Sequence, residues 1–430
     1  MSHLASLATL IFAVTYTGIA LGGLPGLAID RTGVALLGAI AMVATGALLP
    51  REAARAVDFP TILLLYSLMV VAAQLKLGGF YSRAAIWINR YIKRPGVFLG
   101  ALMLVSSVFS ALLANDIVCL AFTPVLCESL LGAGLDPLPF LLGLACASNL
   151  GSAATIIGNP QNMLIGQMAR LGFGKFLLWC APPSALSLAA CYGVILFLYR
   201  GKWGKTKKVS PGRPEEEKRT ALSTDPPAAL YTGKSAWPAY DRHQTRKGLL
   251  ITAALIAMFF TPVPRELSAI IAAGVLLASR KIPTRAILGL VDWHLITLFC
   301  ALFIVVGGIV KYGLPGHAVA YLGGHGMDIN HPYALSVIAL VLSNMVSNVP
   351  AVMLLLKHMD LGMTKNLYVL ALASTYAGNL FIVGSIANLI VVEQARIHGV
   401  KIGFREHARV GVPVTLLSML IAFAWIAVAG

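Results

Sequence analysis

Apolar runs of nearly membrane-crossing length recur along this chain of 430 residues, from Leu4 almost to Gly430. A helix needs about 20 such residues to cross a bilayer, and a segment in lipid must pair all its backbone groups internally. Apolar residues make up 58% of the chain and charged residues only 12%, against about 25% charged in soluble proteins. The first run has no basic start and no cleavage site, so we expect a retained helix. The sequence predicts an all-α polytopic membrane protein.

The basic excess fits the same class. Lys and Arg outnumber Asp and Glu by 33 to 17, giving a net charge of +16. These residues fall in short loops between apolar segments, which is the positive-inside pattern of a bacterial-type membrane protein rather than a nucleic-acid-binding surface. The six cysteines stand inside apolar segments without paired spacing, which indicates neither disulfides nor a metal site. The partner that composition predicts is the lipid bilayer, and no nucleic acid.

One long polar stretch, residues 200–247, separates two similar halves, 1–199 and 248–430. Its proline, glycine and charge predict a linker. GSAATIIGNPQNMLIGQMAR in the first half aligns with AGNLFIVGSIANLIVVEQAR in the second, which pairs Gly158 with Gly384 and Asn162 with Asn388. Upstream, Asp58 and Asp292 begin matching apolar runs. The chain is therefore expected to contain an internal repeat.

Each half contains five predicted spanning helices and one interrupted apolar segment, near 97–131 and 332–357. An odd number of crossings inverts the second repeat relative to the first. The interrupted segments are predicted to be re-entrant helical hairpins, and two of the spans to be broken near the midplane. The basic loops place the linker in the cytoplasm and both termini outside, in a cell inner membrane.

Inverted repeats with broken helices are typical of secondary transporters, whose substrate lies at the breaks. Four breaks are predicted: two hairpin tips near Asn115 and Asn348, and two unwound stretches near Asn149 and Asn379. A single glycine or serine there is explained by close helix packing, but four asparagines in these breaks are not. The candidate substrate-binding residues are Asn115, Ser148, Asn149, Ser152, Asn162, Ser347, Asn348, Asn379 and Asn388.

Asp116 is the carboxylate that falls within a predicted hairpin tip, and the second repeat has Val349 near the matching place. An acid within the membrane is a functional residue by default, typically a proton relay or ion ligand. We assign Asp116 to ion or proton coupling. Cys119, one turn further on, is a weaker candidate for a thiol contact, since a small packing residue explains it equally simply.

At these residues the chain resembles the ion-transporter superfamily of ArsB-type arsenite permeases, NhaD-type sodium/proton antiporters and divalent anion/sodium symporters. LANDIVCLAFTP is similar to the first-hairpin signature of the ArsB branch, and SNMVSNVP to the superfamily's second hairpin. The resemblance implies an elevator-type transporter, often a homodimer. The tips differ from the Ser-Asn-Thr motif of carboxylate symporters: they read Ala-Asn-Asp and Ser-Asn-Val.

The substrate follows from charge. The four breaks contain no Lys or Arg, which favours a neutral solute such as arsenous or antimonous acid over a carboxylate or inorganic anion. Asp116 would couple its efflux to protons. Sodium/proton antiport is the alternative, and a receptor without transport is a third reading. No Walker A sequence or catalytic triad occurs, so we expect no enzyme, no cofactor and no metal; a separate cytoplasmic ATPase subunit could dock on the basic loops.

Overall fold

The computed structural model describes residues 3–23, 27, 29–201, 203–204, 240–313, 316, 324–325 and 327–429. Those residues form nineteen α-helices, one 3-10 turn and isolated β-bridges without strands. The first half contains α1 (His3–Leu21), α2 (Arg31–Ala44), α3 (Pro50–Ala56), α4 (Phe59–Leu77), α5 (Phe80–Asn89), α6 (Pro95–Leu113), α7 (Asn115–Gly132), α8 (Leu138–Ser152), α9 (Pro160–Met168) and α10 (Phe173–Leu198). The second half contains α11 (Arg242–Met258), α12 (Arg265–Leu277), α13 (Thr284–Leu288), α14 (Trp293–Lys311), α15 (Pro332–Val346), α16 (Asn348–Leu356), α17 (Thr364–Ala377), the 3-10 turn (Ile382–Gly384), α18 (Ile386–Ile397) and α19 (Phe404–Ala429).

Seven of the described helices are long and apolar enough to cross a membrane: α1, α4, α6, α7, α10, α14 and α19. Helices α2, α8 and α15 are apolar but shorter. The chain is thus an all-α polytopic membrane protein, as predicted. Most of the predicted linker at 200–247 lies outside the described residues, and α11 begins at Arg242, a few residues before the predicted start of the second repeat.

Matching helices of the two halves exchange partners. Helix α2 packs against α14, and its counterpart α12 packs against α4. In the same way α7 packs against α18, and α16 against α9. The two long helices α10 and α19, each of 26 residues, pack against each other. Reciprocal pairing of this kind is what two repeats related by a local two-fold axis produce. The limits of the repeats and their placement in the membrane stay predictions.

The equivalence extends to backbone detail. Asp58 and Asp292 cap α4 and α14 with the same conformation, φ −78° and ψ 86° against φ −79° and ψ 86°. Each carboxylate accepts a hydrogen bond from the backbone N–H three residues on, Thr61 at 3.2 Å and Leu295 at 2.9 Å. An aspartate at this position satisfies a donor that the helix itself leaves free. Both helices then run for 19 residues.

Candidate functional site

In each of two helix pairs, a single residue connects the two helices. Ala114 joins α6 to α7 with φ 68° and ψ 138°, and Ser347 joins α15 to α16 with φ 75° and ψ 158°. These are two of three positive-φ residues other than glycine in the described chain. Such conformations are unfavourable for residues with a Cβ and persist where the surroundings impose them, often at functional sites. The register pairs Asn115 with Asn348 and Asp116 with Val349, as the sequence suggests.

Two other helices are interrupted. The first break separates α8 from α9 and covers residues 153–159; the second separates α17 from α18 and covers residues 378–385. Asn159 caps α9, with its side chain accepting from Asn162 N at 2.9 Å and proline following as the first helical residue. Proline lacks the N–H that would be unpaired at a helix start, so Asn-Pro favours restarting the helix there.

A small cavity lies where four of these helices begin. It is lined by the tip residues and by the starts of α9 and α18: Asn115, Asp116, Pro160, Gln161, Ser347, Asn348, Val349, Ser385 and Ile386. The space open to the centre of a water-sized sphere is about 20 Å³, enough for one or two water molecules. A helix start carries roughly half a positive charge, so the four starts give the cavity a positive field although no Lys or Arg lines it.

Asn149 of α8 is the hub that ties the breaks to the first tip. Its Nδ2 donates to Asn379 Oδ1 at 2.9 Å and to Asn388 Oδ1 at 3.1 Å. Its Oδ1 accepts from Asn115 Nδ2 at 3.1 Å and from Ser385 Oγ at 3.0 Å. The amide therefore uses both donors and accepts twice. It joins residues up to 239 positions apart and does not itself line the cavity.

Asn162 and Asn388 hold the two unwound segments in the same way. Asn162 Nδ2 donates to the carbonyls of Ser152 and Thr155, at 3.3 and 3.0 Å. Asn388 Nδ2 donates to those of Gly378 and Phe381, at 2.7 and 3.2 Å. The acceptors are ten and seven residues before each asparagine. Asn162 and Asn388 thus donate hydrogen bonds to backbone carbonyls that the breaks leave without helical partners.

Contacts between the breaks cross over. Asn159, which caps α9, donates from Nδ2 to Thr375 Oγ1 at 3.2 Å, while Ser385, which precedes α18, donates to Asn149. The register that pairs Asn162 with Asn388 also pairs Asn159 with Ser385 and Asn149 with Thr375. Asn149 and Asn379 are therefore not equivalent: the first lies within α8, and the second lies two residues beyond the end of α17.

Each tip is fixed to a break by the aligned glycines. The backbone N–H of Asn115 donates to Gly158 O at 3.0 Å. The side chain of Asn348 lies 3.1 Å from Gly384 O and 3.0 Å from Ser374 O, so its amide nitrogen is the atom that faces them. A Cβ on Gly158 would lie 2.2 Å from Ser152 O. Only glycine allows this close approach of two backbones.

Asp116 is the one carboxylate among the residues that line the cavity. It is half-buried, and within the described chain its side chain makes no hydrogen bond or ion pair. Its neighbour Asn115 is buried and leaves Oδ1 without a partner. The free carboxylate and the free amide oxygen both accept hydrogen bonds, so the first tip can bind a solute that donates through hydroxyl groups, or a cation.

The remaining predicted residues surround the cavity without lining it. Ser148 Oγ lies 2.8 Å from Ser110 Oγ and donates to Asn115 O at 3.1 Å, and Ser152 Oγ donates to Asn149 O at 2.8 Å. Cys119 is fully buried in α7. Sequence reasoning missed Gln161 and Ser385, which line the cavity. The alignment held the signal for Ser385, since it stands opposite Asn159 of the Asn-Pro pair.

A second group of polar contacts fastens the end of α9 to the start of α12. Arg265 donates to Gly166 O and Leu171 O, both at 2.6 Å, and to Gln167 Oε1 at 3.3 Å. Glu266 accepts from Gln167 Nε2 at 2.9 Å. We call this the α9–α12 latch. It borders a cavity of about 770 Å³, which shares no lining residue with the cavity at the helix starts.

In the described part of the other repeat, the matching arginine forms no such latch. The register that pairs Asp58 with Asp292 pairs Arg31, the first residue of α2, with Arg265. Among the described residues, Arg31 makes no hydrogen bond to α18, the counterpart of α9. The two halves therefore share one set of helices and caps but differ in how the broken helix is fastened to the neighbouring repeat.

Broken helices, paired hairpins and a polar cavity at their junction define a secondary membrane transporter rather than an enzyme. The family comparison agrees. The chain belongs to the citrate transporter family CitMHS, whose model matches residues 10–364.

Three relatives match the chain along most of their own length. It is 30% identical to the silicon efflux transporter LSI3 of Oryza sativa subsp. japonica, over 91% of each chain. It is 29% identical to a 46 kDa membrane protein of Mycobacterium leprae over 98% of each, and 25% identical to the putative transporter arsB of Dictyostelium discoideum over 96% of this chain and 89% of that one. The YdaH transporter of Alcanivorax borkumensis, a solved structure, aligns over 99% of this chain and 98% of its own with a TM-score of 0.48 and 13% identity.

Proposed function

We propose that the chain exports a small, uncharged, hydroxylated acid in exchange for protons, with arsenous and antimonous acid as the first candidates. The observation that carries the proposal is the cavity at the helix starts. It is small, lined by amides, hydroxyls and apolar side chains, and it contains one unpartnered carboxylate and no basic residue. The first hairpin also resembles that of the ArsB-like branch of the ion-transporter superfamily.

The chemistry of two relatives supports the solute class. The names of the rice and Dictyostelium proteins refer to silicon efflux and to arsB. Silicon and trivalent arsenic both occur near neutral pH as uncharged acids whose hydroxyl groups donate hydrogen bonds. Asn115 Oδ1 and the Asp116 carboxylate are acceptors without partners in the described chain. Such a solute would satisfy both without adding charge to a buried site.

Proton entry would supply the driving force. Crossing a membrane potential of 100 mV delivers about 2.3 kcal/mol per charge, enough for roughly a fifty-fold gradient of a neutral solute. Asp116 would carry the proton, and the valine at the equivalent position of the second tip leaves one such group per chain. The one-sided α9–α12 latch supports alternating access of the elevator type: in the opposite state we expect Arg31 to hold the end of α18 instead.

Citrate is the second candidate, because the family description names it and four helix starts favour an anion. It would need the cavity to widen far more than a solute of a few heavy atoms does, and Asp116 would repel it. Sodium/proton antiport is the third candidate, because an aspartate beside an asparagine can also bind sodium.

Uptake into everted membrane vesicles separates these functions. We expect proton-driven uptake of arsenite, antimonite or silicic acid, abolished by Asp116→Asn. Arg265→Ala is the control for a change outside the cavity, and it should alter the rate without changing which solute is carried. Uptake of citrate, or of sodium, in preference to the neutral acids would contradict the proposal.

A further inference from the structure

His407, the fourth residue of α19, is a buried ionisable side chain that the proposed transport mechanism does not yet use. It is 2% exposed, and neither Nδ1 nor Nε2 has a hydrogen-bond partner in the described chain. A buried polar group without a partner is unfavourable, so such groups are rare and call for a physical reason. An ionisable group inside a membrane helix is a functional candidate by default.

The ring lies beside the second break. One turn beyond it, at Gly411, α19 comes so close to the unwound segment that a Cβ there would lie 2.2 Å from Asn379 O and 3.0 Å from Leu380 O. The same Cβ position is 3.1 Å from His407 Cε1. His407 Cε1 and the two carbonyl oxygens therefore surround one point and lie within about 6 Å of one another, with no room for a side chain at Gly411. Asn379 Nδ2 is a further buried group without a partner.

Polar contacts connect Asn379, next to His407, to the cavity. Asn379 Oδ1 accepts from Asn149, Asn149 accepts from Asn115, and Asn115 lines the cavity next to Asp116. A change in how the second break is held at Asn379 would thus act on the residue that carries the free acceptor of the first tip.

The opposite repeat shows that packing alone does not require a histidine. Helices α10 and α19 have equal length, so counting from their first residues pairs His407 with Phe176 and Gly411 with Cys180. Phe176 is fully buried. A phenyl ring fills the matching position of the first repeat, and the titratable ring occurs only at the second break, just as the carboxylate occurs only at the first tip.

The charged groups on the elements packed against α19, Lys175 and Lys365, are exposed and form no hydrogen bond with the ring. Helices α8, α10, α15 and α17 and the 3-10 turn pack against α19. The other titratable side chains of these elements are Cys146, Cys180, Cys191, Tyr192, Tyr333, Tyr368 and Tyr376, and Tyr199 follows the end of α10. Glu406 and Arg409, on α19 itself, are exposed and act on Tyr199. None of these forms a hydrogen bond with His407.

We infer that His407 is a second proton-binding residue of the transport cycle, which holds the second unwound segment when it is protonated. The imidazolium has two N–H donors, and the nearby carbonyls of Asn379 and Leu380 are the acceptors that it would bind. Loss of the proton would remove one donor and release the segment. His407 is a positioning residue in this scheme, since it does not line the cavity, and the scheme rests on the proposed proton-coupled transport.

The test is arsenite counterflow in proteoliposomes, with equal pH on both sides, measured from about pH 4 to pH 8, a range that extends below the ordinary titration range of histidine. Wild type, His407→Gln, His407→Phe and the matched control Phe176→Leu are compared. We expect a several-fold change of rate with pH in the wild type and the control, and a smaller change in both His407 variants, in which Asp116 still exchanges protons. The profile should be nearly flat when His407→Gln is combined with Asp116→Asn. Glutamine keeps hydrogen bonding but cannot titrate. The melting temperature of the His407→Gln protein in detergent shows whether the fold survives.

A His407→Gln protein that is folded and retains the wild-type pH profile overturns the inference. The same measurement in the Asp116→Asn background separates the two proposals. If wild type shows no proton-driven arsenite transport at all, the proposed function fails first. If wild type is proton-driven and the His407 variants keep its profile, only the role of His407 fails.

Discussion

Replacing Asn149 by Leu should prevent the chain from accumulating in a folded state. The change removes four hydrogen bonds and leaves four buried groups without these partners, on Asn115, Asn379, Ser385 and Asn388. All four residues are at most 6% exposed. Each unsatisfied group costs about 1–3 kcal/mol, so the sum is on the order of 4 kcal/mol or more. Entire folds are stabilised by only about 5–15 kcal/mol.

Asn149→Ala should be milder, because the shorter side chain leaves room for a water molecule that pairs some of these groups. We expect a loss of about 2 kcal/mol. The assay is thermal unfolding in detergent, followed by size-exclusion chromatography, with Thr375→Val at the equivalent position as the matched control. It loses one hydroxyl and should shift the melting temperature less than either variant. An Asn149→Leu protein that accumulates and melts like wild type would refute the idea that Asn149 is the structural hub.

Two further changes test the latch and the close approach at the first break. Arg265→Ala removes three hydrogen bonds of the α9–α12 latch and should shift the population towards the opposite state, whereas Arg31→Ala should favour the present state. Labelling of single cysteines from either side of the membrane measures both populations. Equal labelling of the two variants would argue against an exchange of the latch between the two repeats. Gly158→Ala places a Cβ 2.2 Å from a backbone oxygen and should cost about 1–3 kcal/mol. Gly274→Ala, with nothing within 4 Å, should be neutral in the same melting assay, and equal melting of both would contradict this reading of the break.

The sequence predicts the tips and breaks because their signals are local. Asn-Asp, Asn-Pro and the aligned glycines mark places where a helix cannot continue or where backbones meet. Contacts between the repeats leave no such mark. That Asn149 faces Asn379 and Asn388 depends on how the repeats exchange partners, since the register that aligns Gly158 with Gly384 places Thr375, and not Asn379, opposite Asn149.

Two other features were beyond sequence reasoning for the same reason. Arg265 stands at a helix start where an arginine is usually solvated, and only the tertiary fold brings it to the carbonyls of Gly166 and Leu171. His407 stands in a basic stretch at the start of a span, and nothing in the sequence shows that its ring turns inward. Substrate charge is a third case, since the cavity's field depends on four helix starts that converge from both halves.

Asp116→Asn in proteoliposomes tests the central claim most directly, because it separates exchange of substrate from coupling to protons. Asparagine is nearly isosteric with aspartate but cannot exchange a proton. We expect the variant to retain arsenite counterflow and to lose arsenite accumulation driven by a pH gradient, with proton movement followed by an entrapped pH dye. Asp116→Glu should keep part of the driven transport. An Asp116→Asn protein that accumulates arsenite at the wild-type rate, with the same proton flux, would contradict the account.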